Sequence, residues 1–309
     1  MARTREPAGP YGERGRGTGG PGPQPAVPRH RRTVLEAQRF ADRFRHLTAA
    51  RVARDVARAA RLRTADPPAP VVPDRDRKVI VSMTTVPERL PLIGPALRSL
   101  LDQSCPADRI VLALPHLSVR GTAAYPAPRA LPGAVEVLRC EDHGPATKLL
   151  PVLAAEPEAV IVAVDDDVVY PRDFLQCLLT WHERCPDTAV GLRGWRRDPV
   201  WPRHVFGTGI AAPVEVDVLM GTWGYLVPPG AFDAAVHDFT AWPPATRWAD
   251  DIWFSGHLAR LRVDRLVVPG AGLPLETRAS WTASLSQGLN RSGANDRAAL
   301  DAFAAFWRT

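Results

Sequence analysis

The chain has 309 residues, of which 45% are hydrophobic and 23% are charged, which is the balance of an ordinary globular protein. The length allows one large α/β domain or two modest ones. No apolar run approaches the roughly 20 residues that cross a bilayer, and the N-terminus lacks the apolar stretch of a secretory signal. Composition therefore argues against a membrane-spanning or secreted protein, and we expect a cytoplasmic one.

The net charge of +6 is distributed unevenly. Residues 1–64 contain 15 arginines and 5 acidic residues, whereas residues 65–309 contain 24 basic and 28 acidic residues, so the first part carries +10 and the second −4. The basic arm could contact nucleic acid or the inner face of a membrane peripherally. Its arginines are scattered and few aromatic residues accompany them, so simple solvation is favoured and no nucleic-acid partner is expected.

The first 77 residues are predicted to lie outside the main domain. Residues 1–32 are rich in Gly, Pro and Arg and are predicted to be disordered. Thr33 and Glu36 form a capping box, which predicts one amphipathic helix over residues 33–64. The apolar stripe of this helix would consist of Leu35, Phe40, Phe44, Leu47, Val52 and Val56. Because basic residues flank the stripe, the helix could lie on a membrane surface, although docking against the main domain or a partner chain is the simpler interpretation. The prolines of residues 65–77 predict a stiff linker.

The main domain is predicted to span residues 78–275 and to alternate strands with helices. Apolar runs predict strands at residues 78–85, 108–115, 133–140 and 159–164, with helical patterns at residues 90–104 and 144–156. Further on, the patterns predict a helix at 171–186, a strand at 189–195, a loop at 196–213, a strand with a glycine turn at 214–229, a helix at 248–261 and a strand at 265–270. This alternation indicates an α/β fold with a mostly parallel central sheet flanked by helices. Residues 276–309 are predicted to form a polar loop and a terminal helix.

Three aspartates follow the apolar run in "AVIVAVDDDVVYPRDF", residues 159–174. Ligands bind beyond the carboxyl ends of strands in such sheets, and adjacent buried carboxylates are costly unless a positive group pairs with them. An Asp-x-Asp at a strand end presents Asp165 and Asp167 on the same side, where they could hold Mg²⁺ or Mn²⁺. Asp166 would then point elsewhere, to a ribose hydroxyl or a basic residue. A solvated acidic turn or a helix N-terminus remains the alternative.

A second acidic pair, Asp250 and Asp251, lies at the start of the predicted helix 248–261. One of the two could cap that helix while the other faces a cavity. Combined with a metal-type cluster earlier in the chain, such a carboxylate can handle a proton or stabilise a developing cation.

These motifs resemble those of GT-A glycosyltransferases. The resemblance is carried by "VDDDVVYP" together with the later "ADDIWFSGHL", and by the opening "VIVSMTTVPERL…ALRSLLDQSCPADRIVLALP", which is similar to the first βαβ unit of family 2-like members. "GPATKLLPVL" and "DDIWFSGHLA" are similar to a bacterial and algal subgroup, and exostosin-type transferases are a more distant likeness. The resemblance covers about residues 78–270. It implies the GT-A, or nucleotide-diphospho-sugar transferase, fold and the metal-dependent transfer of a sugar from a nucleotide-diphosphate donor to a hydroxyl acceptor.

The resemblance also implies roles at the donor end of the site. Thr84, Thr85 and Arg89, after the first strand, would meet the nucleoside. Lys148, one of only two lysines in the chain, would approach the diphosphate, unless it is a plain surface lysine. The cluster of residues 165–167 would bind the nucleotide-sugar through Asp165 and Asp166, and Mn²⁺ or Mg²⁺ through Asp165 and Asp167.

Catalysis is expected at Asp251, with Asp250 as the substitute, either as the base of an inverting reaction or as a stabiliser in a retaining one. His257 could be a third metal ligand, but six residues from Asp251 fits one helical face poorly, so core packing is the alternative.

The acceptor would be a glycan, a lipid-linked sugar or a small molecule. Its site would be lined by Arg193, Trp195 and Trp223, although the tryptophans could instead pack in the core. Asn290, Arg291 and Asn295 lie in the late polar loop that could close as a lid over the diphosphate.

The chain departs from the usual family 2 pattern in two respects. Asp-Asp stands where Glu-Asp is usual, and the Gln-x-x-Arg-Trp signature and membrane helices of processive synthases are absent. A soluble enzyme that adds one sugar at a time is therefore expected.

Two rival functional classes remain. A nucleotidyltransferase that makes sugar nucleotides would normally have a glycine-rich basic loop, which "MTTVPERL" is not, and a non-catalytic binding or scaffold protein could share the fold.

Overall fold

The computed structural model describes residues 38, 41–120, 124–128, 131, 132, 134–198, 202–270, 272–283, 290 and 292–308. The predictions for residues 1–32, for the capping box of Thr33 and Glu36 and for Arg291 lie outside these residues. Within them, the helices are α1 Ala49–Arg61, α2 Gly94–Leu101, α3 Leu150–Ala155, α4 Phe174–Arg184, α5 Asp250–Arg260 and α6 Ala294–Ala302. The strands are β1 Val79–Thr84, β2 Arg109–Pro115, β3 Val135–Cys140, β4 Val160–Val164, β5 Val168–Val169, β6 Ala189–Gly191, β7 Arg193–Arg196, β8 Arg203–Phe206, β9 Val214–Glu215, β10 Val218–Leu219, β11 Tyr225–Val227, β12 Arg265–Val267 and β13 Leu275–Glu276.

Eight strands form the central sheet in the order β3-β2-β1-β4-β11-β6-β12-β9. Pairing is parallel from β3 through β4 and between β6 and β12, whereas β11 and β9 run against their neighbours. Six of the eight strands therefore share one direction. The predicted α/β class with a mostly parallel sheet is confirmed.

Helices cover both faces of this sheet, which explains why its central strands are mostly apolar, with Ser82 of β1 as a buried polar exception. On one face Val81 packs in the same cluster as Leu97 of α2 and Leu178 of α4. On the other face Ile80 packs in a cluster with Leu150 of α3 and Phe254 of α5. Successive side chains of β1 therefore pack into two separate apolar layers, one on each face of the sheet.

The polar segments lie together at one end of the strands, which is called the polar edge of the sheet here. Strands β1 and β4 end there, at Thr84 and Val164. Strand β11 is antiparallel to β4, with Tyr225 opposite Ala163, so its amino end lies at the same edge. The 3-10 turn Gly221–Trp223 immediately precedes β11 and is thereby brought beside residues 165–167.

Several predicted elements differ from the structure. The strand predicted at residues 214–229 is divided into β9, β10 and β11, because the chain turns at each break. The predicted loop 196–213 contains β8, which pairs with β7 in a three-stranded sheet with β10. The predicted boundary at residue 275 falls inside β13, which pairs with β5.

The N-terminal helix also differs from its prediction. Residues 41–44 are helical, a turn follows, and Thr48 caps α1 by accepting a hydrogen bond from Arg51 N, so no single helix spans residues 33–64. The buried side of α1 carries Asp55 and Ala59, whereas Val56 of the predicted stripe is 50% exposed. Phe44 and Leu47 of the predicted stripe, just before α1, pack against the main core, so the predicted docking against the main domain is confirmed. Helix α1 adds polar contacts that an apolar stripe does not reveal. No helix in the described ranges has the length and apolar character needed to span a membrane.

Candidate active site

A cavity of about 370 Å³ opens at the polar edge of the sheet. Its volume falls within the roughly 300–1,000 Å³ of small-molecule sites. Residues from the end of β1, the aspartate turn after β4, the 3-10 turn Gly144–Lys148, the turn Gly221–Trp223 and the start of α5 all line it. The motifs that are far apart in the sequence therefore meet around one space.

The three consecutive aspartates turn toward different partners. The chain leaves β4 at Asp165 and turns at residues 166 and 167, so the cluster is not extended. Asp166 is 5% exposed and accepts hydrogen bonds from Thr85 Oγ1 at 2.5 Å and from Arg89 Nη1 at 2.8 Å. Arg89 Nη1 also lies 3.2 Å from Asp167 Oδ2. Asp166 therefore holds Thr85 and Arg89 in place, and Asp165 and Asp167 line the cavity on either side of it in sequence.

Lys148 joins the two acidic motifs. Its Nζ lies 2.6 Å from Asp165 Oδ1 and 2.9 Å from Asp250 Oδ2, and the residue is only 6% exposed. Burial acts to lower the pKa of this lysine, but the neighbouring carboxylates outweigh burial and hold the pKa well above its ordinary value. Lys148 lines the cavity and is buried, so the alternative of a plain surface lysine is wrong, and its predicted approach to a diphosphate stays a prediction.

Gly221 allows this close packing. Its amide donates a 2.8 Å hydrogen bond to Asp251 Oδ1, which orients that carboxylate. A Cβ atom at this position would lie 2.5 Å from Lys148 Nζ and 3.2 Å from Asp165 Oδ1. Only glycine leaves room for the ammonium and both carboxylates, so the glycine of the turn is part of the site.

The cavity carries a surplus of negative charge. Among the described residues that line it, three are cationic and seven are acidic: Arg89, Arg120 and Lys148, against Asp142, Asp165, Asp166, Asp167, Asp250, Asp251 and Asp296. Burial, followed by the charges of Asp165 and Asp166, raises the pKa of Asp167 to about 7. Burial and the neighbouring Asp250 raise the pKa of Asp251 to about 8. Both carboxyls therefore hold protons at a pH where an ordinary aspartate is ionised.

The excess of carboxylates over cationic side chains in the cavity suits a divalent cation, which prefers oxygen ligands. No group of three or more His, Cys, Asp or Glu residues is arranged to hold a metal ion within the described part of the chain. Mg²⁺ and Mn²⁺ nevertheless often bind through one or two carboxylates and complete their coordination with water and substrate phosphates. Asp165 and Asp167 can supply such a pair, and a cation there would replace the proton that Asp167 holds.

Residues at the β1 end of the cavity include several that sequence reasoning missed. The predicted Thr84 lines the cavity and donates a 2.8 Å hydrogen bond to Ala113 O. Asp142 also lines it and accepts a hydrogen bond from Gly144 N at 2.7 Å. The carboxyl-end rule could have found Asp142, since it follows β3. Further lining residues to which the sequence motifs assigned no role are Arg120, Tyr125, Met220, Thr222 and Trp248.

Of the three predicted acceptor residues, the structure places one at the cavity. Trp195 lines it and is 8% exposed. Trp223 is wrong as a lining residue, because it is buried in the core with its ring 5.2 Å from the ring of Phe206. The prediction for Arg193 is wrong as well, because Arg193 does not line the cavity and its guanidinium lies over the ring of Phe206.

His257 is not placed to bind a metal at this site. It does not line the cavity, and its fully buried ring contacts Trp242, Trp253 and Phe303. Six residues from Asp251 correspond to about 240° around a helix, which turns the imidazole away from the carboxylate. Burial and Arg260 lower its pKa to about 4, so the imidazole is neutral.

The C-terminal segment contributes to the cavity wall. Asn290 lines the cavity and its Nδ2 donates a 2.7 Å hydrogen bond to Trp248 O. Asn295 lies in the first turn of α6 and donates to Asn290 Oδ1 at 2.7 Å, while the unpredicted Asp296 lines the cavity. These contacts hold the described part of the predicted lid against the segment before α5.

Comparisons with known proteins give a distant structural likeness. No family model matches the chain, and no curated protein does. Among solved structures, the chain is similar to the mannosyltransferase PcManGT from Pyrobaculum calidifontis in complex with GDP-Man and Mn²⁺. The TM-score is 0.49 and the identity 18%, and the match covers 89% of this chain and 77% of that one. At this distance the likeness does not tell what this chain binds.

Proposed function

We propose that this protein is a metal-dependent glycosyltransferase with the GT-A fold, which moves a sugar from a nucleotide-diphosphate donor to a hydroxyl group of an acceptor. The observation that carries the proposal is the junction of two acidic motifs at one cavity: the aspartate turn after β4 and the aspartate pair that begins α5, joined by Lys148. One motif suits a metal-bound diphosphate and the other suits proton transfer.

The donor end of the proposed reaction lies at the aspartate turn. Asp165 and Asp167 would hold Mn²⁺ or Mg²⁺, and the bound cation supplies a positive charge where the leaving diphosphate gains a negative one. Arg89 is fixed by Asp166 and lines the same cavity, so its position is set before a donor arrives. Lys148 keeps Asp165 beside Asp250 and thereby fixes the spacing between the donor and acceptor ends.

The acceptor end is assigned to Asp251. The amide of Gly221 anchors one of its oxygens, and its pKa of about 8 makes the carboxylate a stronger base than an ordinary aspartate once ionised. A general base works best when its pKa is near the working pH. In an inverting reaction Asp251 would remove the proton of the acceptor hydroxyl during attack; in a retaining one it would stabilise the cationic sugar.

The test is a panel of sugar nucleotides incubated with Mn²⁺, with or without simple sugar acceptors, followed by detection of the released nucleotide diphosphate. We expect release for at least one donor and its loss when the metal is chelated. Asp251→Asn should lower turnover by about 10² or more while nucleotide binding persists. Asp167→Ala should abolish the metal-dependent transfer while leaving the fold intact.

Asp238→Asn serves as the matched control, because Asp238 is exposed and lies outside the cavity. This variant should keep wild-type turnover. Release of no nucleotide from any donor, or undiminished turnover of Asp167→Ala, would overturn the proposed function.

A further inference from the structure

Helix α1 packs directly behind the aspartate turn. Ala59 and Leu62, at and just after its last turn, form an apolar cluster with Val169 of β5, and Leu275 of β13 packs against that cluster. Strand β5 begins at the residue after Asp167. The helix therefore covers the small sheet from which the metal-binding carboxylates of the proposed function extend.

Arg58 is the centre of this contact. Its side chain is 12% exposed and its guanidinium pairs with Asp102 at 2.6 Å. It also donates to Tyr170 O at 2.6 Å, to Ser99 O at 3.1 Å and to Asp102 O at 3.0 Å. A planar guanidinium with four acceptors has one orientation, so Arg58 fixes the backbone around Tyr170.

Tyr170 carries this constraint to the cavity. It is fully buried, its amide donates to Ser99 Oγ at 2.9 Å, and its hydroxyl accepts the amide hydrogen of Asp165 at 2.8 Å. The backbone of Asp165 is thus held by a side chain whose own backbone is held by Arg58.

A second route reaches the other end of the turn. Asp55 of α1 accepts a hydrogen bond from Leu273 N at 3.0 Å, just before β13. Thr277 N, just after β13, donates to Asp167 O at 2.8 Å. Helix α1 therefore contacts segments that bind the backbones of both Asp165 and Asp167.

We infer that α1 supports the active site from behind, and that Arg58 is a positioning residue which, through Tyr170, sets the geometry of the carboxylates for a divalent cation. This inference rests on the proposed function, because that function gives the carboxylates their cation. Arg58 itself does not line the cavity. A helix in this role is a fixed brace rather than a separate membrane-surface element.

Hydrogen–deuterium exchange of the full chain tests the brace without any activity. In Arg58→Met, the amides of Asp165 and Tyr170 should exchange about tenfold faster or more, while those of β1 and β2 stay unchanged. Arg54→Met is the matched control, because Arg54 is exposed on the same helix and its guanidinium donates to Ala50 O of that helix. Unchanged exchange at Asp165 and Tyr170 in folded Arg58→Met, or a uniform increase across the sheet, would overturn the inference.

Metal activation distinguishes positioning from general destabilisation. In Arg58→Met, the Mn²⁺ concentration for half-maximal activity should rise about tenfold, with kcat at saturating Mn²⁺ largely recovered. A fall in kcat at every Mn²⁺ concentration would contradict positioning. Tyr170→Phe removes the acceptor for Asp165 N, and its effect combined with Arg58→Met should be smaller than the product of the two single effects. Multiplying effects would show that Arg58 does not act through Tyr170.

The inference can still be tested if a variant does not fold or if the wild-type protein has no transferase activity. If Arg58→Met does not fold, Arg58→Lys, which keeps a cation beside Asp102, replaces it in both measurements and is judged by the same criteria. If the wild-type protein turns over no sugar nucleotide, the proposed function fails, whereas exchange at Asp165 and Tyr170 still decides whether α1 braces the turn.

Discussion

Replacing Lys148 by methionine is the most direct way to measure the charge balance of the cavity. The change keeps a long apolar stem and removes the ammonium that lies 2.6 Å from Asp165 and 2.9 Å from Asp250. Breaking a buried ion pair by removing one partner costs about 3–5 kcal/mol. Although the substitution breaks two ion pairs, we expect a total cost in the range for one pair. Carboxylates left without a cation can take up protons instead of remaining charged.

The expected loss depends on pH. The charge of Lys148 lowers the pKa values of Asp167 and Asp251, so its removal raises both, and the loss of stability is largest at pH 8 and shrinks as the pH falls. In a chain of this size, 3–5 kcal/mol corresponds to a decrease in Tm of about 6–20 °C. Urea unfolding followed by tryptophan fluorescence at pH 8 and at pH 5.5 gives both the free energy of unfolding and its pH dependence.

Lys78→Met is the matched control, because Lys78 is exposed and is the other lysine of the chain. It should change the free energy of unfolding by less than about 0.5 kcal/mol. The reasoning is refuted if Lys148→Met is as stable as Lys78→Met at pH 8, or if its loss of stability is equal at the two pH values.

Three further measurements test other parts of the site. Gly221→Ala should displace the Lys148 ammonium, because the new Cβ would lie 2.5 Å from Nζ, and should lower nucleotide release at saturating Mn²⁺; wild-type release would contradict this packing. Mn²⁺ affinity, measured by calorimetric titration at pH 6 and pH 8, should rise with pH by up to about tenfold per unit, because the cation must displace the proton that Asp167 holds up to about pH 7. An affinity independent of pH would show that Asp167 is not a ligand. The folded-state pKa of His257 is about 4 against an ordinary 6.5, so this group costs stability as the pH falls between those values. His257→Leu should therefore show a smaller drop in urea midpoint from pH 7 to pH 4.5 than the wild type, and an equal drop would refute this.

The sequence predicted those parts of the fold that depend on local patterns. Short apolar runs predicted β1, β2 and β4, because strands buried on both faces have few polar positions. The aspartate turn after β4 and the aspartate pair at the start of α5 followed from where those runs and the helical pattern end.

The role of Lys148 could not be read in the same way. It reaches Asp165 and Asp250 only because the turn Gly144–Lys148, the end of β4 and the start of α5 meet in three dimensions. Similarly, the residue types of Trp195 and Trp223 do not reveal that one lines the cavity and the other is buried in the core.

The N-terminal helix was mispredicted for a related reason. An apolar stripe is the usual signal for a docked helix, but α1 docks through Arg58 and Asp55, whose partners are distant in sequence, as well as through Ala59. Residues 1–64 contain 15 arginines, so one buried arginine among them gives no distinct signal.

The distribution of the surplus charge favours a reaction over simple storage of a metal. A site that only stores a cation would gather its uncompensated carboxylates around one point, with their charges balanced once the ion is bound. Here the two carboxyls with strongly raised pKa values, Asp167 and Asp251, belong to different elements, and Lys148 lies with the carboxylates Asp165 and Asp250 that link those elements. A cation held by Asp165 and Asp167 would relieve the first carboxyl directly, whereas Asp251, anchored by Gly221, would still exchange a proton near neutral pH. A cation site beside a separate proton acceptor is the combination that the proposed transfer to a hydroxyl group would use in its inverting form.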